Sequence, residues 1–264
     1  MLTGNQQRFL PCYLSEELHR IKVILEKKGN VRKMIPHYLL WTEEERGALA
    51  FAKEYSEILE QNMVFSEEKT ESYFLGLSFP QEDSPDYSYQ LFFDSARQRA
   101  NTRNRFCGVF LINLENWINA SARSPRFEAL IDYVRENEDS IRFVFCLSAS
   151  SKDATYIASR LDEEIGVKCF EVPMPDMEVA KHYVESELME MSIVLLPADG
   201  TIVRKMLKDV TGSSQYKGYE TLDRIVKQLG YASLAGDEMV LKETVAKIKD
   251  GFSVKEETRR IGFL

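Results

Sequence analysis

The residues with the clearest chemical potential lie between Thr42 and Gly47, where an apolar run gives way to a helical pattern. A strand, a tight turn and a helix N-terminus form a common phosphate-binding layout, because unpaired backbone N–H groups and the helix dipole converge there. The usual phosphate loop, G-x-x-x-x-G-K-[ST], adds glycines that wrap the phosphates and a lysine that neutralises them. This turn instead has one glycine, no lysine and the carboxylates of Glu43, Glu44 and Glu45. The sequence therefore has the layout of a phosphate site without its chemistry.

Thr42 and Glu45 have the T-x-x-E spacing of a capping box, in which side chains at the start of a helix satisfy its unpaired donors. Each carboxylate of the turn, at about 6 Å from a phosphate charge, would cost roughly 2 to 3 kcal/mol at an effective dielectric near 20. We therefore expect a site filled by its own side chains, with no tight binding of triphosphate. An ordinary strand and capped helix of an α/β protein is the alternative that stays open at this point.

The composition is that of a folded globular protein. The 264 residues, 44% hydrophobic and 29% charged, suffice for one large domain or two smaller ones. Residues 1–9 lack the basic start and apolar stretch of a secretory signal, and no transmembrane segment is recognisable. We therefore expect a cytoplasmic protein that does not associate with membranes.

The four cysteines are far apart in the sequence, and Cys146 and Cys169 lie inside apolar, strand-like runs. This placement favours buried, reduced thiols over disulfides or a metal site. The three histidines, His19, His37 and His182, form no pair with the spacing of metal ligands. No metal site is expected.

The formal net charge of −8 disfavours a general affinity for nucleic acid, which needs a basic face. One local exception is a run of four arginines within nine residues: Arg97, Arg99, Arg103 and Arg105. Such a run is compatible with a solvated helix end or with contact to an acidic partner.

Five apolar runs of strand length alternate with helical patterns in the first two thirds of the chain. The predicted strands cover residues 38–41, 73–79, 108–112, 141–147 and 167–172. Helices are predicted to begin at the caps Ser15 and Thr42 and near residues 84, 124 and 153. The continuous apolar runs at 108–112 and 141–147 are typical of strands covered on both faces, and hence of a parallel sheet. Gly76 is compatible with a regular strand or with a bulge.

Beyond Pro175 only helical periodicity remains. Asp176 is predicted to cap a helix that reaches about Met191. Three further apolar stripes follow and are predicted to end at Gly212, Gly230 and Gly251. The sequence thus predicts an α/β domain over residues 1–174 and a small helical domain over residues 175–264.

The stretch from Leu91 to Trp117 joins Phe93-Asp94-Ser95-Ala96-Arg97 to the apolar run from Val109 to Ile112. Together with the order of elements from about Ser15 onward, this pattern resembles the AAA+ ATPases. The resemblance implies a three-layer, P-loop NTPase-like parallel sheet flanked by helices, followed by a small all-helical lid domain.

The resemblance also implies where a nucleotide site would lie. Asn113 stands where the family has the aspartate for magnesium, and Leu114 stands where it has the glutamate that activates water. A one-residue bulge would bring Glu115 forward as a residual general base. Asparagine does not match a carboxylate's attraction for a hard dication.

Ser148, or Ser150, occupies the polar strand end that senses the γ-phosphate in the family. Four positions therefore correspond to a degenerate nucleotide site: Thr42, Gly47, Asn113 and Ser148.

Two further positions follow from the resemblance. Arg160, in Ile157-Ala158-Ser159-Arg160-Leu161, matches the segment that presents an arginine finger to a neighbouring subunit; local pairing with acidic neighbours is the alternative. Glu220 matches the lid arginine that contacts the γ-phosphate, which is a charge reversal, with Lys217 or Arg224 as substitutes.

These departures all weaken nucleotide handling. The sequence therefore predicts a catalytically inactive AAA+-like protein, a pseudo-ATPase, that serves as a scaffold, a regulatory subunit or a non-hydrolysing subunit of a larger assembly. No cofactor is expected, although weak binding of ATP or ADP with Mg stays open. The partners would be other protein subunits, an active AAA+ ATPase among them, or further copies of this chain. The alternatives are a weak ATP hydrolase with a rebuilt site and an inactive subunit of a DNA-handling complex.

Overall fold

The structure is a computed structural model that describes residues 10–26, 35–62, 74–78, 86–103, 107–118, 125–149, 151–234 and 238–252. The chain divides into two compact units, residues 1–173 and residues 174–264. The first unit contains all the described strands, and the second consists of helices.

The first unit is built around a parallel sheet of five strands. The strands are β1 (His37–Thr42), β2 (Phe74–Ser78), β3 (Cys107–Ile112), β4 (Ile141–Ser148) and β5 (Val167–Val172). The helices are α1 (Cys12–Glu26), α2 (Glu45–Asn62), α3 (Asp86–Arg103), α4 (Leu114–Trp117), α5 (Pro125–Glu136) and α6 (Ala154–Ile165). The strand order is β2-β3-β4-β1-β5, so that β4 lies between β1 and β3.

Helices cover both faces of this sheet, as the continuous apolar strands predict. Tyr38 and Leu40 of β1 point into a core shared with α1 and α2. Leu39 points to the other face, into a core shared with α3, α5 and α6. The alternation of side chains along a strand explains this division, because successive residues face opposite sides. The predicted three-layer, P-loop NTPase-like fold is confirmed.

Aromatic contacts and one close backbone approach fix α2 on the sheet. The Tyr38 ring meets Phe51 and Tyr55 edge to face, at centroid distances of 5.0 and 4.9 Å. Such pairs contribute about 0.5 to 1.5 kcal/mol each beyond the area that they bury. At Gly108 of β3, an added Cβ would lie 2.4 Å from the Ser56 hydroxyl oxygen. Glycine is therefore required where α2 crosses β3.

The first helix, α1, is tied to the sheet by the buried carboxylate of Glu17. This carboxylate accepts hydrogen bonds from the Tyr38 hydroxyl at 2.6 Å, from the Arg20 Nε at 2.9 Å and from the Lys168 ammonium at 2.6 Å. Burial raises the pKa of Glu17, but the bonds from Arg20, Lys168 and Tyr38 outweigh it and lower the pKa to about 2. The charge is thus stabilised by partners from α1, β1 and β5.

The second unit is the small all-helical domain that the sequence predicts. Its helices are α7 (Met177–Glu190), α8 (Pro197–Thr211), α9 (Gly218–Leu234) and α10 (Glu238–Phe252). The Asp176 carboxylate caps α7 by accepting from the backbone N–H groups of Glu178 and Val179, as predicted.

Several local predictions need correction. Helix α1 begins at Cys12 rather than at a Ser15 cap, because the Pro11 carbonyl already accepts from the N–H of Ser15 at 3.2 Å. Gly230 and Gly251 lie inside α9 and α10 instead of ending them. At Gly230 the reason is packing, since a Cβ added there would lie only 3.3 Å from the Met191 sulfur.

Strand β2 keeps a regular register, with Gly76 opposite Phe110, so the bulge is not formed. Of the predicted strand, Tyr73 and Phe79 lie outside the described residues. The predicted burial of Cys169 is wrong, because β5 is an edge strand and this thiol is exposed. Cys146, in the central strand β4, is buried, and burial raises its pKa.

All four cysteines are free thiols. In the described part of the chain, His, Cys, Asp and Glu side chains form no group of three that is suited to a metal ion. Within the same residues, none of the helices combines the length and the apolar character needed to cross a membrane.

Candidate functional site at the carboxyl ends of the strands

The sheet brings the ends of β1, β3 and β4 together. Thr42 at the end of β1 pairs in register with Ser148 at the end of β4, and Ile112 of β3 pairs with Cys146. The residues that follow these strands therefore share one edge of the sheet. In open parallel sheets, ligands bind at this edge. Of the predicted site residues, Thr42, Asn113, Glu115 and Ser148 lie along it.

The turn between β1 and α2 consists of Glu43 and Glu44 alone, since β1 ends at Thr42 and α2 begins at Glu45. The Thr42 hydroxyl accepts from the Glu44 N–H at 2.9 Å and donates to the Glu44 carbonyl at 2.6 Å. The Glu44 carboxylate in turn accepts from the N–H of Arg46 at 3.2 Å. The predicted capping box of Thr42 and Glu45 is therefore wrong. Glu44 is the residue before the helix, and its own carboxylate acts as the cap.

This turn is too short to wrap a phosphate group. The phosphate motif places a glycine-rich loop between strand and helix, whereas only two residues intervene here. Gly47 lies buried inside the first turn of α2 and contributes no loop. One of the free N–H groups at the helix start is already occupied by the Glu44 carboxylate. The residues present do not fit the triphosphate of ATP in the usual mode.

Asn113 links the end of β3 to the start of α2. Its backbone is left-handed, with φ 56° and ψ 44°, a conformation that asparagine adopts more readily than most residues. Its side-chain amide donates to the Glu45 carboxylate across 2.9 Å. Glu45 is thus engaged with Asn113 instead of with the Thr42 backbone. The sequence carries no local signal for this contact, because the two residues are 68 positions apart.

Glu115 lies against the end of β4. The left-handed turn at Asn113 precedes the short helix α4, in which Leu114 is completely buried. The Glu115 carboxylate points toward the end of β4 and accepts a hydrogen bond from the Ser148 N–H at 3.0 Å. The approach of Glu115 was predicted through a strand bulge, and the structure achieves it with a turn and a helix instead. Its second oxygen, Oε2, is buried without a hydrogen-bond partner.

The surroundings of Glu115 shift its acidity. Burial raises the pKa of Glu115, its hydrogen bonds to backbone N–H groups oppose that effect, and the nearby charge of Glu45 adds to it. A carboxyl group with a raised pKa is suited to exchange protons near neutral pH. Its role as a general base stays a prediction.

Arg160 is engaged within its own domain. Its guanidinium forms ion pairs with Glu128 at 3.0 Å and Glu164 at 3.2 Å and lies 5.6 Å from the centre of the Phe127 ring. Contact with a neighbouring subunit would require these pairs to open. The arginine-finger role stays a prediction, and the local pairing that was its alternative is what the structure contains.

Glu220 is exposed in the first turn of α9, in the helical unit. Of its two suggested substitutes, Lys217 is exposed and Arg224 lies over the Phe252 ring at 5.3 Å. Whether Glu220 replaces a lid arginine stays a prediction.

The remaining expectations concern Ser150 and the arginine run. Ser150 and Arg105 lie outside the described residues. Arg97 is exposed on α3 and pairs with Asp94 at 3.0 Å. The proposed contact of this run with an acidic partner stays a prediction.

Comparisons with known proteins agree with the fold. Neither a protein-family model nor a curated protein matches the sequence. Among solved structures, the match with a RuvB variant of Thermotoga maritima covers 90% of this chain and 67% of the RuvB chain, with a TM-score of 0.55 and 13% identity. The match with C. elegans PCH-2 covers 91% of this chain and 69% of the PCH-2 chain, with a TM-score of 0.53 and 15% identity.

Domain III of the Thermotoga maritima replication initiation protein DnaA covers 96% of this chain and 95% of its own, with a TM-score of 0.52 and 15% identity. All three neighbours are AAA+ ATPases. At such low identities the likeness establishes the fold alone. The chain therefore has an AAA+ ATPase-like fold.

Proposed function

We propose that this chain is a catalytically inactive AAA+ protein, a pseudo-ATPase, that acts as a scaffold, a regulatory subunit or a non-hydrolysing subunit of a larger assembly. The observation that carries the proposal is the Glu43 to Glu45 turn, in which Glu44 caps α2 and Glu45 binds the Asn113 amide. This supports the proposal, because the Glu44 carboxylate already engages an N–H group at the helix start, where a phosphate would bind.

Electrostatics supports the same conclusion. A triphosphate next to this turn would meet three carboxylates and no lysine, and each close pair of like charges is unfavourable by roughly 2 to 3 kcal/mol at a dielectric near 20. The Asn113 amide is already used by Glu45, and an amide oxygen attracts magnesium less than a carboxylate does. The proposed partners are therefore proteins, including further copies of this chain or an active AAA+ ATPase.

Glu115 supports a second candidate, a weak ATP hydrolase with a rebuilt site. Its carboxyl group lies at the end of β4, its pKa is raised by burial, and one of its oxygens has no hydrogen-bond partner. This is the chemistry of a general base. It ranks second because the stretch beside it carries three carboxylates and no lysine.

Thermal unfolding with and without millimolar Mg-ATP or Mg-ADP separates the two candidates. A ligand at about one hundred times its dissociation constant stabilises by about 2.7 kcal/mol, which raises the midpoint of a chain of this size by roughly 5 to 10 °C. We expect no such shift with either nucleotide, and no hydrolysis in a phosphate-release assay.

The matched control for hydrolysis is Glu115→Gln. Any phosphate release that is equal in wild type and variant comes from a contaminating enzyme and leaves the pseudo-ATPase proposal standing. A midpoint shift with nucleotide, together with hydrolysis that Glu115→Gln abolishes, would overturn the proposal in favour of the rebuilt site.

A further inference from the structure

A group of large apolar side chains lies exposed on the helical unit. Most come from the end of α7 and the connection to α8: Met189, Met191, Val194 and Leu196, which are 66%, 47%, 78% and 67% exposed. Tyr231 of α9 is 77% exposed. We call these five side chains the methionine surface.

The connection that carries this surface has a defined conformation. The Ser192 N–H donates to the Met189 carbonyl and the Ile193 N–H donates to the Leu188 carbonyl, both at 2.9 Å, with Ser192 in the left-handed region at φ 62°. These bonds close a compact turn after α7. The exposed side chains therefore project from an ordered segment.

Tyr231 belongs to the same surface because α9 packs against this turn. At Gly230, a Cβ would lie 3.3 Å from the Met191 sulfur and 3.9 Å from the terminal carbon of Ile193. The missing side chain at Gly230 lets the turn approach the helix backbone. Tyr231 is the next residue of α9, one position beyond this contact.

A concentration of exposed apolar side chains in one place marks an interaction surface more often than scattered single residues do. Methionine side chains suit such a surface, since they are flexible and polarizable and adapt to the shape of a partner. The remaining question is the chemistry of that partner.

Charge answers this question. Between Lys181 and Arg204 the sequence has no lysine or arginine, whereas it has four acidic residues: Glu185, Glu187, Glu190 and Asp199. On α9 two basic residues precede Tyr231: Lys227 by one helical turn, and Arg224, which lies over the Phe252 ring, by two. The methionine surface is therefore apolar with a predominantly acidic border.

We propose that the methionine surface binds a basic amphipathic α-helix of a partner protein. The apolar face of that helix covers the five side chains, and its lysines and arginines meet the acidic border. An anionic membrane carries the wrong charge for that border, and a second copy is disfavoured by the net charge of −8 that both copies share. The inference goes beyond the proposed function and holds whether or not the strand-end site binds nucleotide.

The test uses the full chain and a fluorescein-labelled peptide of about 18 residues that forms an amphipathic helix of leucine and lysine. We expect binding by fluorescence anisotropy that weakens as salt rises, because the border contributes attraction between charges. A peptide with glutamate in place of lysine and the same leucine face is the matched control, and it should not bind.

The variant V194S/L196S/Y231S removes three exposed apolar side chains and should weaken binding at least about tenfold. Leu91→Ser is its control, since Leu91 is 63% exposed on α3, in the other unit, and its loss should leave binding unchanged. Circular dichroism and the unfolding midpoint verify that both variants are folded.

Equal binding of both peptides, unchanged binding of the triple variant, or no binding by the wild-type chain would overturn the proposal. So would self-association of the wild type in sedimentation that the triple variant abolishes, because the occupant would then be a second copy. None of these results depends on nucleotide, so the failure of this inference is distinguishable from the failure of the proposed function.

Discussion

The Glu115 carboxylate accepts a hydrogen bond from the backbone N–H of Ser148 across 3.0 Å and so joins the segment after β3 to the end of β4. This bond places an acidic side chain at the edge of the sheet where nucleotide-binding proteins hold their ligand. It also gives one oxygen of the half-buried carboxylate a partner, while the second oxygen, Oε2, is buried and has none. Stability and any residual chemistry at this edge therefore depend on the protonation of Glu115.

The first prediction concerns the pH dependence of Glu115→Gln. Burial raises the pKa of Glu115 above its ordinary value of 4.5, so the native state holds this proton more tightly than the unfolded state does. The free energy of unfolding of the wild type therefore falls as the pH rises from 4.5 through the native pKa, whereas glutamine does not titrate. We expect the stability of the variant relative to wild type to be greater at about pH 7.5 than at about pH 4.5.

Urea unfolding at both pH values measures this difference. Glu136→Gln, at an exposed position on α5, is the control and should show a smaller dependence on pH. A relative stability of Glu115→Gln that does not change with pH would contradict the assignment of a raised pKa.

The second prediction concerns Glu17 and acid. Its hydrogen bonds lower the pKa of Glu17 to about 2 from 4.5, so its contribution to stability is complete above pH 4.5 and is lost as the pH falls toward 2. Glu17→Gln should lower the free energy of unfolding at pH 7 by about 1 to 3 kcal/mol, because bonds to a charged group are lost while Arg20 and Lys168 can turn to solvent.

Glu16→Gln provides the comparison, since Glu16 is exposed on the same helix. Chemical denaturation should show a larger loss for Glu17→Gln at about pH 7 than at about pH 3, where only part of the contribution of Glu17 remains. If both variants had equal stability at pH 7, the hydrogen bonds of Glu17 would contribute nothing measurable to the free energy of unfolding.

The third prediction concerns His37. Burial, with a further contribution from Arg142, lowers the pKa of His37 to about 3, and its Nδ1 accepts from the Phe143 N–H at 3.1 Å. Below pH 6.5 the imidazole of His37 binds a proton in the unfolded state but stays neutral in the native state. The free energy of unfolding therefore falls as the pH drops from 6.5 toward 3. His37→Asn keeps an acceptor oxygen but does not titrate, and should flatten this loss.

Unfolding by urea between about pH 6.5 and about pH 4.5 separates His37 from Glu17, whose contribution changes only below that window. The smaller side chain should cost about 1 to 3 kcal/mol at neutral pH. His19→Asn, at an exposed position, is the control and should retain the steep dependence of the wild type. An unchanged slope in His37→Asn would show that His37 is not buried in its neutral form.

The fourth prediction concerns the contact of α2 with β3. Gly108→Ala places a Cβ 2.4 Å from the Ser56 oxygen and 2.8 Å from the Ser56 Cβ, and should cost about 1 to 3 kcal/mol through overpacking. Ser56→Gly removes both obstructing atoms. The double variant should therefore be more stable than the sum of the single changes predicts, with a coupling of about 1 kcal/mol or more.

Thermal or urea unfolding of the four proteins gives this coupling. The control is Gly200→Ala on α8, where a Cβ meets nothing within 4 Å and the greater helix propensity of alanine should leave stability unchanged or raise it. Additive costs at Gly108 and Ser56 would mean that α2 shifts away from the sheet without penalty.

Much of the fold could be predicted because its signals are local. The apolar run at 141–147 predicts β4 almost to the residue, and the Asp176 cap of α7 is formed as expected. Burial along β5 could not be read in the same way. Cys169 is exposed because β5 is an edge strand. The position of a strand in the sheet cannot be predicted from the residues of that strand alone.

The candidate site divides along the same line. The sequence by itself determined that the turn after β1 lacks a phosphate-binding lysine and carries three carboxylates, because residue type and spacing are fixed along the chain. Only the tertiary structure decided that Glu44 caps α2, that Asn113 binds Glu45 and that Glu115 reaches Ser148. The last two contacts join residues 68 and 33 positions apart, and they depend on a strand order that places β4 between β1 and β3.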